Sequence, residues 1–213
     1  RGNFLKILSE ARDLPTNFVR DVIMKAPTKD VMNSMTRSIL TLASYDPYAQ
    51  RTDLGNVIRQ SIMLIATFPM LAIYGYHAYN HFENMESMYI HRPDPEMSTA
   101  ENILMMLRPD KQFTTTEARV LQAALMLHME HGGGNNSTFT TRVVTSSGSD
   151  TYATIAAAMS SLKGPRHGGA NLKVMEMMDN IRENVHDWSD DEEIEKYLTR
   201  MIKGSVFDHK GLI

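Results

Sequence analysis

Two histidines stand one helical turn apart in Leu127-His128-Met129-Glu130-His131, and the run continues through Gly132-Gly133-Gly134 into Asn135-Asn136-Ser137. A spacing of three puts both imidazoles on neighbouring parts of one helix face, ahead of a glycine turn and a polar helix start. The pair alone leaves several roles open. His128 continues an apolar stripe, and His131 lies where the negative end of a helix dipole favours a basic residue, so a structural role accounts for both. A zinc site needs at least one further ligand and lacks the glutamate placement of the His-Glu-x-x-His signature. No metal is expected.

A second group is Gly164-Pro165-Arg166-His167-Gly168-Gly169-Ala170-Asn171, where proline ends one helix and His167 stands at the mouth of the next. An imidazole there feels the positive end of the helix dipole, which favours its neutral form. A neutral ring with a fixed N–H donates to a developing enolate oxygen without surrendering a proton. The glycines that follow remove side chains, so a ligand is expected to approach the backbone closely. The bland reading is a turn that merely connects two helices.

The elements that must carry these groups read as helices. Met32, Met35, Ile39 and Leu42 repeat on one face, as do Leu121, Ala124, Leu125 and His128, and both runs are expected to face a core. Ser98 with Glu101 and Thr114 with Glu117 match the capping-box spacing. Prolines and periodicity place helices at 2–13, 15–25, 29–44, 52–67, 69–82, 98–107 and 114–131, with Pro69 kinking or restarting its helix. Further helices are read at 150–163, 170–185 and 190–203, the last opening on four acids suited to a helix N-terminus. Ser137–Thr145 is rich in β-branched residues and locally ambiguous. No second strand is in sight, and a lone strand forms no sheet, so the reading is all-α.

Composition narrows the class. Twenty-two basic against 25 acidic side chains give a net charge of −3, which lacks the basic footprint of a nucleic-acid binder. With 42% apolar residues the chain has the makings of a packed core, and with no cysteine it has neither a disulfide framework nor a thiol nucleophile. The apolar run Ile62–Tyr76 falls short of the roughly 20 residues needed to cross a bilayer and is read as buried helix. The seventeen methionines are read as adaptable core filling.

Together, the two histidine segments carry a resemblance. From Leu127 to Asn171 the sequence resembles citrate synthases, whose hallmark is a His-x-x-His-turn-Asn-x-Ser run followed, after this interval, by Gly-Pro-x-His-Gly-x-Ala-Asn. The resemblance implies a multi-helical large domain over residues 1–163 and the start of a smaller helical domain over 164–213. It implies that His167 polarises the thioester carbonyl of acetyl-CoA and that His131 holds oxaloacetate. His128 and Asn135 would line the substrate side, and Ser137 would hold the imidazole of His167 from behind and set its tautomer. The coenzyme A thioester is then a substrate, and no cofactor is needed. Two positions depart from the common pattern: Gly132 replaces an acid and Arg166 an apolar residue.

The family's second catalytic histidine lies in a Gly-x-Gly-His run, followed by Asp-Pro-Arg and later by a catalytic aspartate and carboxylate-gripping arginines. None of these is in the sequence, which closes on Asp208-His209-Lys210-Gly211-Leu212-Ile213, similar to what precedes that run. The expectation is a piece of an enzyme that condenses acetyl-CoA with oxaloacetate in the tricarboxylic acid cycle, inactive by itself because its catalytic groups act as a unit. A synthase taking propionyl-CoA to 2-methylcitrate is the alternative, and one methylene separates the two weakly. A noncatalytic helical module is the alternative from another class. The resemblance further implies a homodimer, with the apolar helices around Ile62–Tyr76 and Val120–Leu127 as its surfaces. It places the protein in the cytoplasm or the mitochondrial matrix, with neither nucleic acid nor membrane as a partner.

Overall fold

The computed structural model describes residues 2–129 and 133–208. They fall into two compact units, residues 1–161 and 162–213. Among the described residues there are helices and turns and no strand, so the all-α reading holds, and residues 137–145 are helical.

In the first unit, α1 spans Gly2–Glu10, α2 Val31–Leu42, α3 Leu54–Glu83, α4 Thr99–Leu107, α5 Thr115–His128, α6 Asn136–Ser146 and α7 Thr151–Leu162, whose last residue passes into the second unit. Each start has a local cause. Asp30 and Asp53 accept from the backbone N–H of Asn33 and Asn56, satisfying donors that a helix start leaves without a partner. At α4, Ser98 Oγ accepts from Glu101 N–H at 3.3 Å while the Glu101 carboxylate accepts from Ser98 N–H at 2.7 Å. Thr114 and Glu117 repeat that exchange at α5. Replacing Ser98 by alanine removes one half of the exchange and should cost about 1 kcal/mol of stability, read as a lowered midpoint in urea unfolding with unchanged m-value.

The long helix α3 corrects the sequence reading of two helices broken at Pro69. The helix runs unbroken from Leu54 to Glu83 with Pro69 inside it. Proline deprives only the carbonyl four residues back of its partner, and that residue, Ile65, is 58% exposed, so water can take the place of the missing N–H. The expected helix at 15–25 shrinks to one π-helical turn, Val19–Ile23, preceded by Asn17 in the left-handed region at φ 64°.

On length and composition α3 could cross a bilayer. Here it is the spine of the unit, packing against α1, α2, α4 and the π-helical turn. Its buried face mixes Leu64, Met70, Leu71 and Tyr74 with the polar Asn56, Gln60, Thr67, His77 and Asn80. Around it the core gathers Phe18, Ile23, Ile39, Met106 and Tyr152, each almost wholly shielded. Burial of side chains of this size contributes on the order of 2 kcal/mol apiece. Tyr74 closes the far side: its hydroxyl donates to the His91 carbonyl at 2.7 Å, and burial pushes its pKa up to about 12.

The α2 stripe faces the core as its period requires, with Met35, Ile39 and Leu42 buried. The α5 stripe does so only in part, with Leu121, Ala124 and Leu125 half-buried. Only Ala118 of α5 is buried, and His128 is exposed. Val120, Leu127, Met129 and Phe139 are each more than 60% exposed, and α6 buries no residue at all. Methionine likewise divides: Met35, Met70, Met105, Met106, Met159 and Met201 fill the interior, whereas Met85, Met126, Met129 and Met175 are exposed.

The second unit holds α8 (Ala170–Asn184) and α9 (Asp191–Ile202), which close on Ile181, Val185, Tyr197 and Met201. Tyr197 Oη donates to Asn180 Oδ1 at 2.7 Å across the pair. Asp190 caps α9 through the N–H groups of Glu192 and Glu193, so the acidic run does sit at a positive helix end.

Candidate functional site

His167 belongs to a turn that its own sequence builds tightly. After α7 the Gly164 carbonyl accepts from both His167 N–H and Gly168 N–H at 2.9 Å, so the chain coils back at once. Gly169, in helical backbone geometry, is the N-cap of α8 and offers no side-chain cap, which puts His167 two residues ahead of that cap and half-buried. The position at the mouth of α8 is therefore as the sequence reads.

The reason for the glycines is not. A Cβ at Gly168 would collide with the Leu162 carbonyl oxygen, and one at Gly169 with that of Pro165. The space expected to admit a ligand is filled by the chain's own backbone, and the glycines exist to let that backbone close.

The other candidate residues lie at the end of α5 and the start of α6. His128 ends α5, and its Nδ1 donates to the Ala124 carbonyl at 2.7 Å; a carbonyl only accepts, so the proton is on Nδ1. Asn135 is the N-cap of α6, its Oδ1 accepting from Thr138 N–H at 2.8 Å. Ser137 sits half-buried in the first turn, and its carbonyl accepts from Thr141 Oγ1. His131 lies outside the described residues. The structure thus places His128 at the end of α5 and Asn135 and Ser137 at the start of α6, all in the first unit, and His167 in the second. Among the described residues no three His, Asp or Glu side chains converge in a way that would hold a metal ion.

One polar centre is invisible to motif reading. Asp46, its side chain 7% exposed, accepts from Arg59 at 2.6 Å, from Tyr152 Oη at 2.7 Å, from Gln60 at 3.1 Å and from Tyr48 N–H at 2.9 Å. Burial alone would raise its pKa, but these four donors outweigh it and hold the carboxyl at about 2. Burial and the neighbouring carboxylate push the Tyr152 phenol well above its ordinary range. The signal in the sequence is Asn56 and Gln60, two amides one turn apart on the face of an otherwise apolar helix. Two open grooves, of 690 and 370 Å3, are lined by Arg108 to Glu117 and by Asp13, Asp46, Arg59 and Tyr152 respectively. His128, Asn135, Ser137 and His167 line neither.

The sign of the Asp46 shift fixes a pH dependence. A carboxyl held below its unfolded value of 3.8 contributes its full stability above about pH 4 and loses it as the pH falls toward 2. Acid unfolding followed by circular dichroism should therefore be steep between pH 4 and 2, and Asp46→Asn should flatten that limb while lowering stability at neutral pH.

The fold is all-α, with a histidine-bearing turn ahead of α8, and that is the class of architecture its relatives share. The family model for the citrate synthase C-terminal domain matches residues 2–210. The chain belongs to the citrate synthase family. It is 30% identical over 171 residues to a citrate synthase of Heyndrickxia coagulans, covering 80% of this chain and 44% of that one. It is 33% identical over 151 residues to 2-methylcitrate synthase 2 of Corynebacterium glutamicum, covering 69% and 38%. The citrate synthase of Pyrobaculum aerophilum shares the fold at a TM-score of 0.75 and 22% identity, over 99% of this chain and 50% of that one. So does the Thermoplasma acidophilum enzyme solved with carboxymethyl coenzyme A and oxaloacetate, at a TM-score of 0.72 and 22% identity, again over 99% and 50%. The chain spans about half the length of the relatives it matches.

Proposed function

We propose that these residues serve an enzyme that condenses acetyl-CoA with oxaloacetate to give citrate and coenzyme A. The observation that carries the reading is the position of His167, half-buried on a backbone-closed turn at the head of α8, in a chain of this family. A ring held there can donate its N–H to the thioester oxygen as a base removes a methyl proton and the enolate forms. His131, with His128 and Asn135 beside it in the sequence, would bind oxaloacetate. Ser137 would fix the tautomer of His167. The thioester is a substrate, and neither metal nor cofactor enters this scheme.

A Gly-x-Gly-His run does not occur in the sequence. In this reading the base and the second histidine lie outside the 213 residues, which are then inactive alone. Residues 1–163 would form most of a large domain and 164–213 the beginning of a small one. The similarity to a 2-methylcitrate synthase supports the alternative, a synthase that takes propionyl-CoA to 2-methylcitrate.

The uncovered apolar side chains of α5 and α6 support a homodimer that buries them. Light scattering on the complete protein should give twice the chain mass; a monomer overturns the dimer. The activity test is release of free thiol from acetyl-CoA or propionyl-CoA in the presence of oxaloacetate. Calorimetric titration with oxaloacetate that shows no binding, together with no thiol release from either thioester, would overturn the assignment.

A further inference from the structure

Helix α6 carries one charged side chain, Arg142. Steps of three and four residues put it on the same face as Asn135 and Thr138. Long side chains on a helix lean back toward its start, and this one does. Its Nη2 stands 3.4 Å from the place that a Cβ on Gly133 would take, so the guanidinium lies beside the glycines that lead into α6.

A cation is out of keeping with that place. The start of a helix is its positive end, where an anion is favoured and a guanidinium is not. Arg142 is exposed, and among the described residues no carboxylate pairs with it, whereas Arg59 and Arg108 are spent on Asp46 and Glu117. The residues proposed above for oxaloacetate bring no fixed positive charge to a dianion. The Nδ1 proton of His128 is spent on the Ala124 carbonyl, and Asn135 Oδ1 on Thr138 N–H, which leaves the amide N–H groups of Asn135 as donors. A guanidinium supplies what this end of α6 lacks, since its planar fork takes a carboxylate through two parallel hydrogen bonds.

We infer that Arg142 binds a carboxylate of oxaloacetate beside Gly133, and so gives this site its preference for a doubly charged 2-oxo acid. The inference rests on the reading above that places oxaloacetate at this end of α6.

The test uses the complete protein and calorimetric titration with oxaloacetate. Arg142→Gln removes the charge and keeps a long polar side chain; Arg142→Lys keeps the charge and loses the fork. Because α6 buries no residue, neither change should disturb the fold. A hydrogen bond to a charged group is worth about tenfold in affinity. Arg142→Gln should raise the dissociation constant for oxaloacetate about tenfold, and its KM likewise, with the KM for acetyl-CoA and the unfolding midpoint unchanged. Arg142→Lys should recover part of the loss, and added salt should weaken wild type more than Arg142→Gln. Oxaloacetate affinity of Arg142→Gln within twofold of wild type, or a weaker affinity that comes only with loss of the dimer in light scattering, overturns this inference alone. A wild-type protein that does not bind oxaloacetate overturns the placing of oxaloacetate at α6 and this inference with it.

Discussion

In the complete protein, His167→Ala should lower kcat for the proposed condensation by about a thousandfold while the dissociation constant for oxaloacetate changes by less than threefold. The size follows from what the ring is asked to do. One preorganised donor aimed at a developing oxyanion is worth about a hundred- to a thousandfold, and proton-transfer duties add to it. The split follows from where the groups sit. Of the residues proposed to hold oxaloacetate, His128 ends α5 and Asn135 caps α6, both in residues 1–161, whereas His167 lies in 162–213. His167→Gln, which restores a donor of similar reach, should recover part of the loss. The measurement is steady-state kinetics beside calorimetry on each variant. Equal losses in turnover and in oxaloacetate affinity would show that His167 binds rather than activates.

Gly168→Ala should break open the turn that carries His167. The added carbon collides with the Leu162 carbonyl, a backbone atom with no rotamer to yield, so the turn must open. Forced overpacking costs about 1–3 kcal/mol, and the cost here falls on the two N–H donors that converge on Gly164. Hydrogen exchange should show lost protection at His167 and at residue 168, and turnover should fall with it. By contrast Gly134→Ala, where a methyl meets nothing within 4 Å, should leave both unchanged. Native protection at the turn in the Gly168→Ala variant would mean that backbone closure is not why glycine stands there.

Much of the fold is legible from sequence because the relevant physics is local. Capping boxes depend on residues three apart, and both form, at Ser98 and Thr114. Residues 137–145 resist local reading, since β-branched side chains favour a strand. The absence of any pairing partner decides for helix, and Asn135 supplies the cap that starts it. Pro69 misleads because the cost of proline depends on whether the orphaned carbonyl meets solvent, a tertiary fact. The α5 stripe is only half covered for a related reason: periodicity shows that a face is apolar, not how much of it is covered. Of the candidate site, the place of His167 at the mouth of α8 follows from its proline and glycines, but the backbone contact that demands those glycines does not. Asp46 is out of reach because its partners come from three separate stretches, none with a motif.

The bond from Asp46 to Tyr152 ties residues 106 positions apart. Closing so long a loop is entropically dear for a nascent chain, whereas the helices α2 and α3 are near neighbours in sequence and meet early. Docking of α7 should therefore come after the folding barrier. Loss of the Tyr152 hydroxyl would then hasten unfolding and leave the refolding rate nearly untouched, so a chevron plot should move on its denaturing limb alone.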